Sequence, residues 1–243
     1  MTIQDFSDGF DTLLNSYSNR AEFGEEISRR NIAFDEYEKS QFLTMAQEEI
    51  VEGLYSGRNS LGESFESSEE MRRYLADLVV ERTLKPIVNY HGFPLGMEGN
   101  SKFFTLPEDV WFLTYESVVV KKGKCQCGES MRVYPTKQDE YQSIKDNPFR
   151  GANDRRALRL DLSEGNVEII CKYTVTDYYI RYIKRLSPII LVDLSDGLSI
   201  EGESQASECK LHQSLHQRIL ERAVVKALQS QGISLDNKES GNN

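Results

Sequence analysis

The sequence has few of the residues from which catalytic and metal sites are built. It contains 3 histidines and 4 cysteines in 243 residues, and it has no GxGxxG, Walker or GxSxG motif, the short patterns that bind phosphates or present a nucleophile. No apolar run approaches the roughly 18 residues needed to span a bilayer. The first residues also lack the basic and apolar regions of a signal peptide. We therefore expect a cytosolic protein with free thiols, no membrane contact and no cofactor.

The scarce histidines and cysteines could still form a metal site in two places. His212 and His216 are four residues apart on one predicted helix, and Cys209 lies close before them, but HxxxH alone lacks the glutamate of a zinc protease. Cys125 and Cys127 form a CxC motif without a second pair at the distance typical of a zinc finger. Partly exposed histidines and ordinary thiols are the simpler interpretation, and a metal-dependent hydrolase remains a third hypothesis.

Basic residues are scarce in the first third of the chain. The formal net charge is −10, and residues 1–80 hold 17 Asp/Glu and 7 Lys/Arg, whereas residues 81–243 hold 22 of each. Phosphate binding needs clustered Lys and Arg, so this third does not favour a surface that grips nucleic acid. Its carboxylates either line a path that DNA passes, cover a basic neighbour, or are simply solvated helix faces. The candidate acidic face comprises Glu48, Glu49, Glu52, Glu69 and Glu70.

Apolar residues recur at helical spacing at both ends of the sequence. One helix begins after Thr2, and a second runs from about Asp35 to Tyr55, with a capping box formed by Asp35 and Glu38. A third has Ser67 and Glu70 as its capping box and ends before Pro86. A final helix is predicted from five apolar residues and ends at a glycine, namely Leu211, Leu215, Ile219, Ala223, Ala227 and Gly232.

From Pro86 the apolar period changes towards two, and β-branched and aromatic residues dominate. Val110–Val120 is predicted to be a strand, and so is the tyrosine-rich segment Tyr173–Leu186. Leu158–Leu162 and Val167–Cys171 alternate around a turn and predict a β-hairpin. Pro188 opens a further short apolar run.

The pattern predicts an α+β fold with an N-terminal helical bundle, a central and mostly antiparallel β region, and a C-terminal helix that packs back on the bundle. We expect an acidic helical region at 1–85, a β-rich region at 86–207, the returning helix at 208–234 and a polar tail at 235–243.

Tyrosine rings and basic side chains are interleaved in the predicted strand Tyr173–Leu186. Such residues are favoured at protein interfaces, but they can also stack on single-stranded nucleic acid. Since no RNA-binding or OB-fold motif accompanies them, we favour a sheet or intersubunit role. The candidate interface residues are Tyr173, Tyr178, Tyr179, Arg181, Tyr182 and Arg185.

Several segments resemble neck ring proteins of crAss-like phages and related Bacteroidetes phages and prophages. The segment FDEYEKSQFLTMAQEEI at 34–50 is similar to their early helix. Agreement in the C-terminal half is independent of it and comprises Arg156–Leu160, Ser187–Leu191, Leu198–Gly202 and Glu208–Leu211, followed by Leu215, His216, Ile219 and Leu220. The matched segments carry no catalytic residues, and neither His216 nor the CxC motif has a role in this resemblance.

The resemblance implies a non-enzymatic virion protein that forms a twelvefold ring beneath the portal, assembled in the bacterial cytoplasm. The implied partners are further copies of the chain, the portal protein and other neck or tail proteins, with DNA only as passing cargo. The alternative is a nucleic-acid-binding module of the virion or packaging machinery.

Overall fold

The computed structural model describes residues 1–18, 32–58, 62–88, 90, 101–122, 128–195 and 197–233. The chain divides into a helical unit, made of Met1–Leu78 and Leu186–Asn243, and a sheet unit, made of Val79–Arg185. The predicted α+β class is confirmed. Within the described ranges, no helix has both the length and the apolar character needed to cross a membrane.

In its described residues, the helical unit contains three long helices. The helices among the described residues are α1 (Ile3–Ser18), α2 (Glu36–Ser56), α3 (Glu69–Tyr74), α4 (Gln138–Ile144) and α5 (His216–Ser230), with 3-10 turns at Ala76–Leu78 and Gln213–Leu215. Thr2 and Asp5 cap α1 reciprocally, and the predicted capping box of Asp35 and Glu38 begins α2. These caps satisfy main-chain N–H groups that have no partner inside the helix.

The C-terminal helix returns to the N-terminal helices, as predicted. Helix α5 packs against α1 and α2 because its apolar residues at intervals of three and four form one buried stripe. Gly9 allows α1 to approach α5 closely, since a Cβ at this position would lie 2.7 Å from Leu220 Cδ2. Gly232, at φ 77°, ends the helical pattern in the left-handed conformation that glycine adopts without strain.

A polar stripe on α2 fixes the segment that follows the sheet unit in the chain. Ser40 Oγ accepts the Leu191 N–H at 2.9 Å, and Thr44 Oγ1 accepts the Ile189 N–H at 3.0 Å. Gln47 Nε2 donates to Ser187 O at 3.0 Å. All three side chains are buried, so they satisfy main-chain groups that would otherwise be buried without partners.

The sheet unit contains one seven-stranded sheet. Its strands are β1 (Val79–Leu84), β2 (Lys102–Thr105), β3 (Val110–Lys121), β4 (Gly128–Pro135), β5 (Arg156–Asp161), β6 (Asn166–Ile170) and β7 (Thr174–Lys184), in the spatial order β1-β7-β3-β4-β5-β6-β2. Among these described strands, only the pairing of β4 with β5 is parallel. The predicted strands at β3 and β7 and the predicted hairpin of β5 and β6 are confirmed.

The sheet curls around an apolar interior. Phe104 on the edge strand β2 lies 5.2 Å from the ring of Tyr178 on β7, although four strands separate β2 and β7 in the sheet order. The interior residues come from alternate positions along the strands, as the two-residue period of a strand requires. Outside the curl, Tyr141 and Ile144 of α4 pack on Leu158, Leu160 and Ile170.

The third predicted helix is much shorter than expected. Helix α3 has Ser68 as its N-cap, not Ser67, and it ends at Tyr74, so Val79–Leu84 form strand β1 instead of continuing the helix. The β1 residues pair in register with Leu84 opposite Tyr178 and Val79 opposite Ile183. This long-range pairing outweighs the local helical spacing of the apolar residues, and the sheet therefore begins before Pro86.

The apolar run after Pro188 adds no strand to the sheet. It belongs to the helical unit, where Ile190 forms an isolated bridge with Ser207. Its main-chain N–H groups at Ile189 and Leu191 donate to side chains of α2, where a strand in a sheet would donate to a neighbouring strand. The predicted polar tail, 235–243, lies outside the described residues.

Candidate assembly surface

Strand β7 carries most of the candidate interface residues, but on opposite faces. Tyr178 and Tyr182 are fully buried in the interior of the curled sheet, whereas Tyr179 and Arg181 are half-buried on the outer face. Successive side chains of a strand alternate between faces, so the four cannot share one surface. Tyr178 and Tyr182 contribute to the core, and the candidate interface on β7 is reduced to Tyr179 and Arg181.

A buried polar network explains Tyr178. Its hydroxyl donates to Glu116 Oε2 on β3, and Arg159 on β5 donates to the other oxygen of the same carboxylate. Burial and the Glu116 carboxylate both raise the pKa of Tyr178. The phenol therefore stays protonated and remains a hydrogen-bond donor.

The Arg159 side chain bridges two carboxylates. Its Nε lies 2.9 Å from Asp161 Oδ1 as an ion pair, although the angle does not suit a hydrogen bond. Burial alone would lower the pKa of Arg159, but the charges of Glu116 and Asp161, together with the hydrogen bond to Glu116, outweigh it and raise the pKa. The cation is therefore fixed in place, as a buried charge requires.

Tyr182 also has a structural partner. Its hydroxyl donates to Asp109 Oδ1 at 2.9 Å, and burial together with this carboxylate raises the pKa of Tyr182 to about 12. The main-chain carbonyl of Asp109 accepts the Arg185 N–H at 2.7 Å. The end of β7 is thus fixed to the residue that precedes β3.

The outer face of β1, β7 and β3 presents aromatic and charged side chains side by side. Arg181 lies in register with Glu81 on β1 and with Tyr115 on β3, and the rings of Tyr115 and Tyr179 are 6.1 Å apart. Tyr115 is 41% exposed, which is high for a large ring. We call Glu81, Tyr115, Tyr179 and Arg181 the outer patch. Its mixture of Tyr and Arg is typical of protein interfaces.

Tyr173 and Arg185 lie at opposite ends of β7. Tyr173 precedes the strand, and its hydroxyl donates to Asp154 Oδ1 at 2.9 Å, while Lys122 Nζ lies 4.9 Å from its ring. Arg185 follows the strand and its side chain is exposed. The six candidate residues therefore occupy the core, the outer patch and the two strand ends.

The candidate acidic face is also divided. Glu49 on α2 binds Arg222, with 3.0 Å between Nε and Oε2, and Lys226 at 2.7 Å, both on α5. The Arg222 hydrogen bond is the main cause of the lowered pKa of Glu49. Glu69 pairs with Arg73 on α3, and Glu70 accepts the Tyr74 hydroxyl. Glu48 is half-buried, and Glu52 is exposed.

The histidines and cysteines considered as metal ligands have other partners. His216 Nδ1 lies 2.9 Å from the Met1 amino group, and its Nε2 is 2.9 Å from Leu211 O. Cys209 Sγ lies 3.3 Å from Gln47 Oε1, and His212 Nδ1 lies 2.7 Å from Ser214 Oγ. In the described part of the chain, no three such side chains are placed to hold a metal. Cys125 and Cys127 lie outside it.

The buried polar network was not found from the sequence. Glu116 and Arg159 occupy interior positions of strands whose neighbouring interior residues are apolar, as in Val118 and Val120. The sequence does contain one signal for such a network, which is a charged residue at a strand position where the alternation predicts a buried apolar side chain. A buried charge needs a partner, so this position predicts an ion pair or hydrogen bond. Which residues pair cannot be deduced from the sequence, since the strands are distant in the chain.

Sequence comparison defines the class of protein that has this fold and these surfaces, a structural ring protein of a phage particle. The chain is 48% identical over 242 residues to "Ring protein 3" of Bacteroides phage crAss001, covering 98% of this chain and 100% of that protein. It is 30% identical over 236 residues to "Ring protein 4/5" of the same phage, covering 93% and 92% of the two chains.

The family itself follows from a match over nearly the whole chain. Residues 1–239 match the family described as phage tail ring protein 3/4. The chain belongs to this family of crAss-like phage ring proteins, and the resemblance seen in the sequence is confirmed.

Proposed function

We propose that this protein is a non-enzymatic subunit of the phage neck, where copies form a closed twelvefold ring between the portal and the tail. The ring forms part of the channel through which DNA and cargo proteins leave the capsid. Membership of the ring-protein family over residues 1–239 carries this proposal.

The surfaces of the chain support self-assembly. A closed ring needs heterologous contacts, in which one patch of a subunit binds a different patch of the next. The outer patch supplies half-buried Tyr and Arg side chains on a sheet whose interior is fully packed. A rigid strand that presents such side chains loses little conformational entropy when it binds.

The charge distribution suits a channel that DNA passes. Glu52, Glu69 and Glu70 remain exposed, and the first 80 residues account for the whole net charge of −10. A wall of like charge does not retain phosphates, because each Lys or Arg contact would add affinity that a moving duplex must break. Glu49 differs in its burial, since it is half-buried between Arg222 and Lys226 of α5, whereas Glu69 stays exposed although it pairs with Arg73.

The nucleic-acid-binding alternative has less support. Arg181 lies in register with the acidic Glu81, and Tyr178 and Tyr182 are buried where no base can stack on them. A stacking surface needs accessible rings in a basic groove. The outer patch has partly accessible rings in Tyr115 and Tyr179, but Glu81 lies beside Arg181 and the patch is therefore not a basic groove.

Reconstruction of the intact phage particle tests the proposal. We expect the chain in a ring of twelve copies on the axis between portal and tail. A position away from this axis, or in a shell of another symmetry, would contradict the neck assignment.

A further inference from the structure

We infer that the turn Asn147–Gly151 is an assembly knob, and that its Phe149 inserts into the acidic helical unit of a second copy of the chain. The inference rests on the proposed ring and names one of its intersubunit contacts. It is carried by an exposed aromatic ring on a rigid turn, by arginines around that ring, and by the acidic surface elsewhere on the chain.

Phe149 is 83% exposed, although the main chain that holds it is tightly fixed. Asn147 Oδ1 accepts the N–H groups of Phe149 at 2.9 Å and of Arg150 at 3.1 Å. Arg156 donates from Nη1 to Phe149 O at 3.0 Å. An exposed ring on a fixed turn binds a partner with little loss of conformational entropy, and large aromatic anchors beside arginine are typical interface hot spots.

Gly151 closes this turn in a position that only glycine fits. A Cβ there would lie 2.7 Å from Asn147 O and 2.8 Å from the carbonyl oxygens of Ile144 and Lys145. The Gly151 N–H donates to Asn147 O at 2.7 Å. The turn therefore wraps tightly on the end of α4 and presents Phe149 outwards.

The surface around the turn is basic. Residues 145–156 contain 4 Lys/Arg and 2 Asp/Glu. The guanidinium groups of Arg132 and Arg156 lie 5.3 Å and 4.2 Å from the ring centre of Tyr134. Across the described ranges, Arg132, Arg150 and Arg155 have no carboxylate partner. Arg132 and Arg155 also line an open polar cleft of about 470 Å³.

Charge complementarity identifies the occupant as a second copy. The first 80 residues carry 17 Asp/Glu and 7 Lys/Arg, and Asp5, Asp8 and Asp11 on α1 are exposed. A ring requires two different patches that fit one another on the same chain. A single-stranded nucleic acid would stack on several accessible rings in a basic groove, whereas the turn Asn147–Gly151 carries one ring, Phe149.

Photo-crosslinking from position 149 tests the contact in assembled phage particles. Phe149 is replaced by benzoylphenylalanine, and the matched control carries the same residue at Val88, which is also 83% exposed. We expect a product of twice the chain mass, with the crosslinked peptide in the helical unit of the second copy, residues 1–78 or 186–243. A product with DNA, with another protein or with the sheet unit, residues 79–185, or a yield no higher than at position 88, would overturn the inference.

Substitution gives an independent readout. Phe149→Ser and Arg150→Glu remove an exposed ring and reverse an exposed charge, so we expect an unchanged thermal midpoint and roughly tenfold less incorporation into particles. Val88→Ser should incorporate normally. Normal incorporation of both test variants would overturn the inference. If reconstruction still shows the ring, only the knob contact fails; if it shows no ring, the proposed function fails.

Discussion

Arg159 on β5 and Glu116 on β3 form a buried ion pair, although β4 lies between their strands. The two side chains are 10% and 8% exposed, and Tyr178 on β7 donates to the second oxygen of Glu116. One carboxylate therefore joins three strands across the interior of the curled sheet. Since each partner satisfies the others, loss of one leaves a buried charge without compensation.

Arg159→Met should destabilise the protein by about 3–5 kcal/mol, because Glu116 would remain buried without its cation. Urea unfolding followed by circular dichroism measures this change. The triple variant Arg159→Met, Glu116→Leu, Tyr178→Phe removes the whole network and should recover most of the loss. Arg155→Met, at an exposed arginine of the same unit, serves as control. A loss no larger than in this control would contradict the prediction.

Thr44→Val should destabilise the helical unit by about 1–3 kcal/mol. The substitution keeps the side-chain shape but removes the hydroxyl that accepts the Ile189 N–H and faces Ile189 O, which leaves buried main-chain groups without a partner. Hydrogen exchange of the Ile189 amide should accelerate at the same time. Gln41→Ala, at an exposed position of the same helix, should change neither the stability nor the exchange rate of the Ile189 amide. If the two variants behave alike, Thr44 does not stabilise the main chain at Ile189.

Acidification should destabilise the protein through His216. Burial is the main cause that lowers the pKa of His216 below its ordinary value of 6.5, and the Met1 amino group and His212 add to it. As pH falls through 6.5, the unfolded chain binds a proton that the folded chain does not, so this contribution to stability is present above that pH and is lost below it. Besides these two groups, Leu211 O and the Phe6 ring face the imidazole.

Urea unfolding between pH 7.5 and 5 measures this effect. The stability of the wild type should fall over the range, and His216→Asn should show a smaller slope. His212→Asn, at an exposed histidine, is the comparison variant, and because His212 contributes only in part to the lowered pKa of His216, it should reduce the slope less than His216→Asn. An unchanged slope in His216→Asn would assign the pH dependence to other groups.

Most of the fold was predictable because its local signals agree with its long-range contacts. Asp35 with Glu38 and the alternation from Leu158 to Cys171 define elements that the structure contains. The predicted extent of the third helix was wrong, because Val79 and Val80 belong to strand β1, where they pair with Ile183 and Tyr182. Those partners are about a hundred residues away in the chain, where local periodicity carries no information.

Less of the candidate surface was predictable. The alternation of β7 already separates Tyr178 and Tyr182 from Tyr179 and Arg181, yet the sequence does not show which face is covered. The turn around Phe149 had a local signal, since Asn, Pro and Gly flank an aromatic residue. Its exposure depends on how α4 and β5 place it, which sequence spacing does not reveal.

Replacement of Arg181 and Arg185 by Ala should impair ring assembly without changing DNA affinity. Arg181 belongs to the outer patch and Arg185 is exposed beyond the end of β7, so neither change should disturb the core. If the outer patch is an intersubunit contact, loss of its arginine should reduce assembly by roughly tenfold or more. Native mass spectrometry of ring formation, with Lys137→Ala as an exposed control in the same unit, measures the effect.

The same variants separate assembly from nucleic-acid binding, because the two roles differ in their salt dependence. A cation that contacts phosphate contributes about one to the slope of log affinity against log salt, whereas an intersubunit cation contributes nothing to DNA binding. We therefore expect an unchanged slope in the double variant, together with weakened assembly. A lower DNA affinity with a reduced slope, while rings still form normally, would instead favour a nucleic-acid-binding module, since the arginines would then act on phosphates and not on a neighbouring subunit.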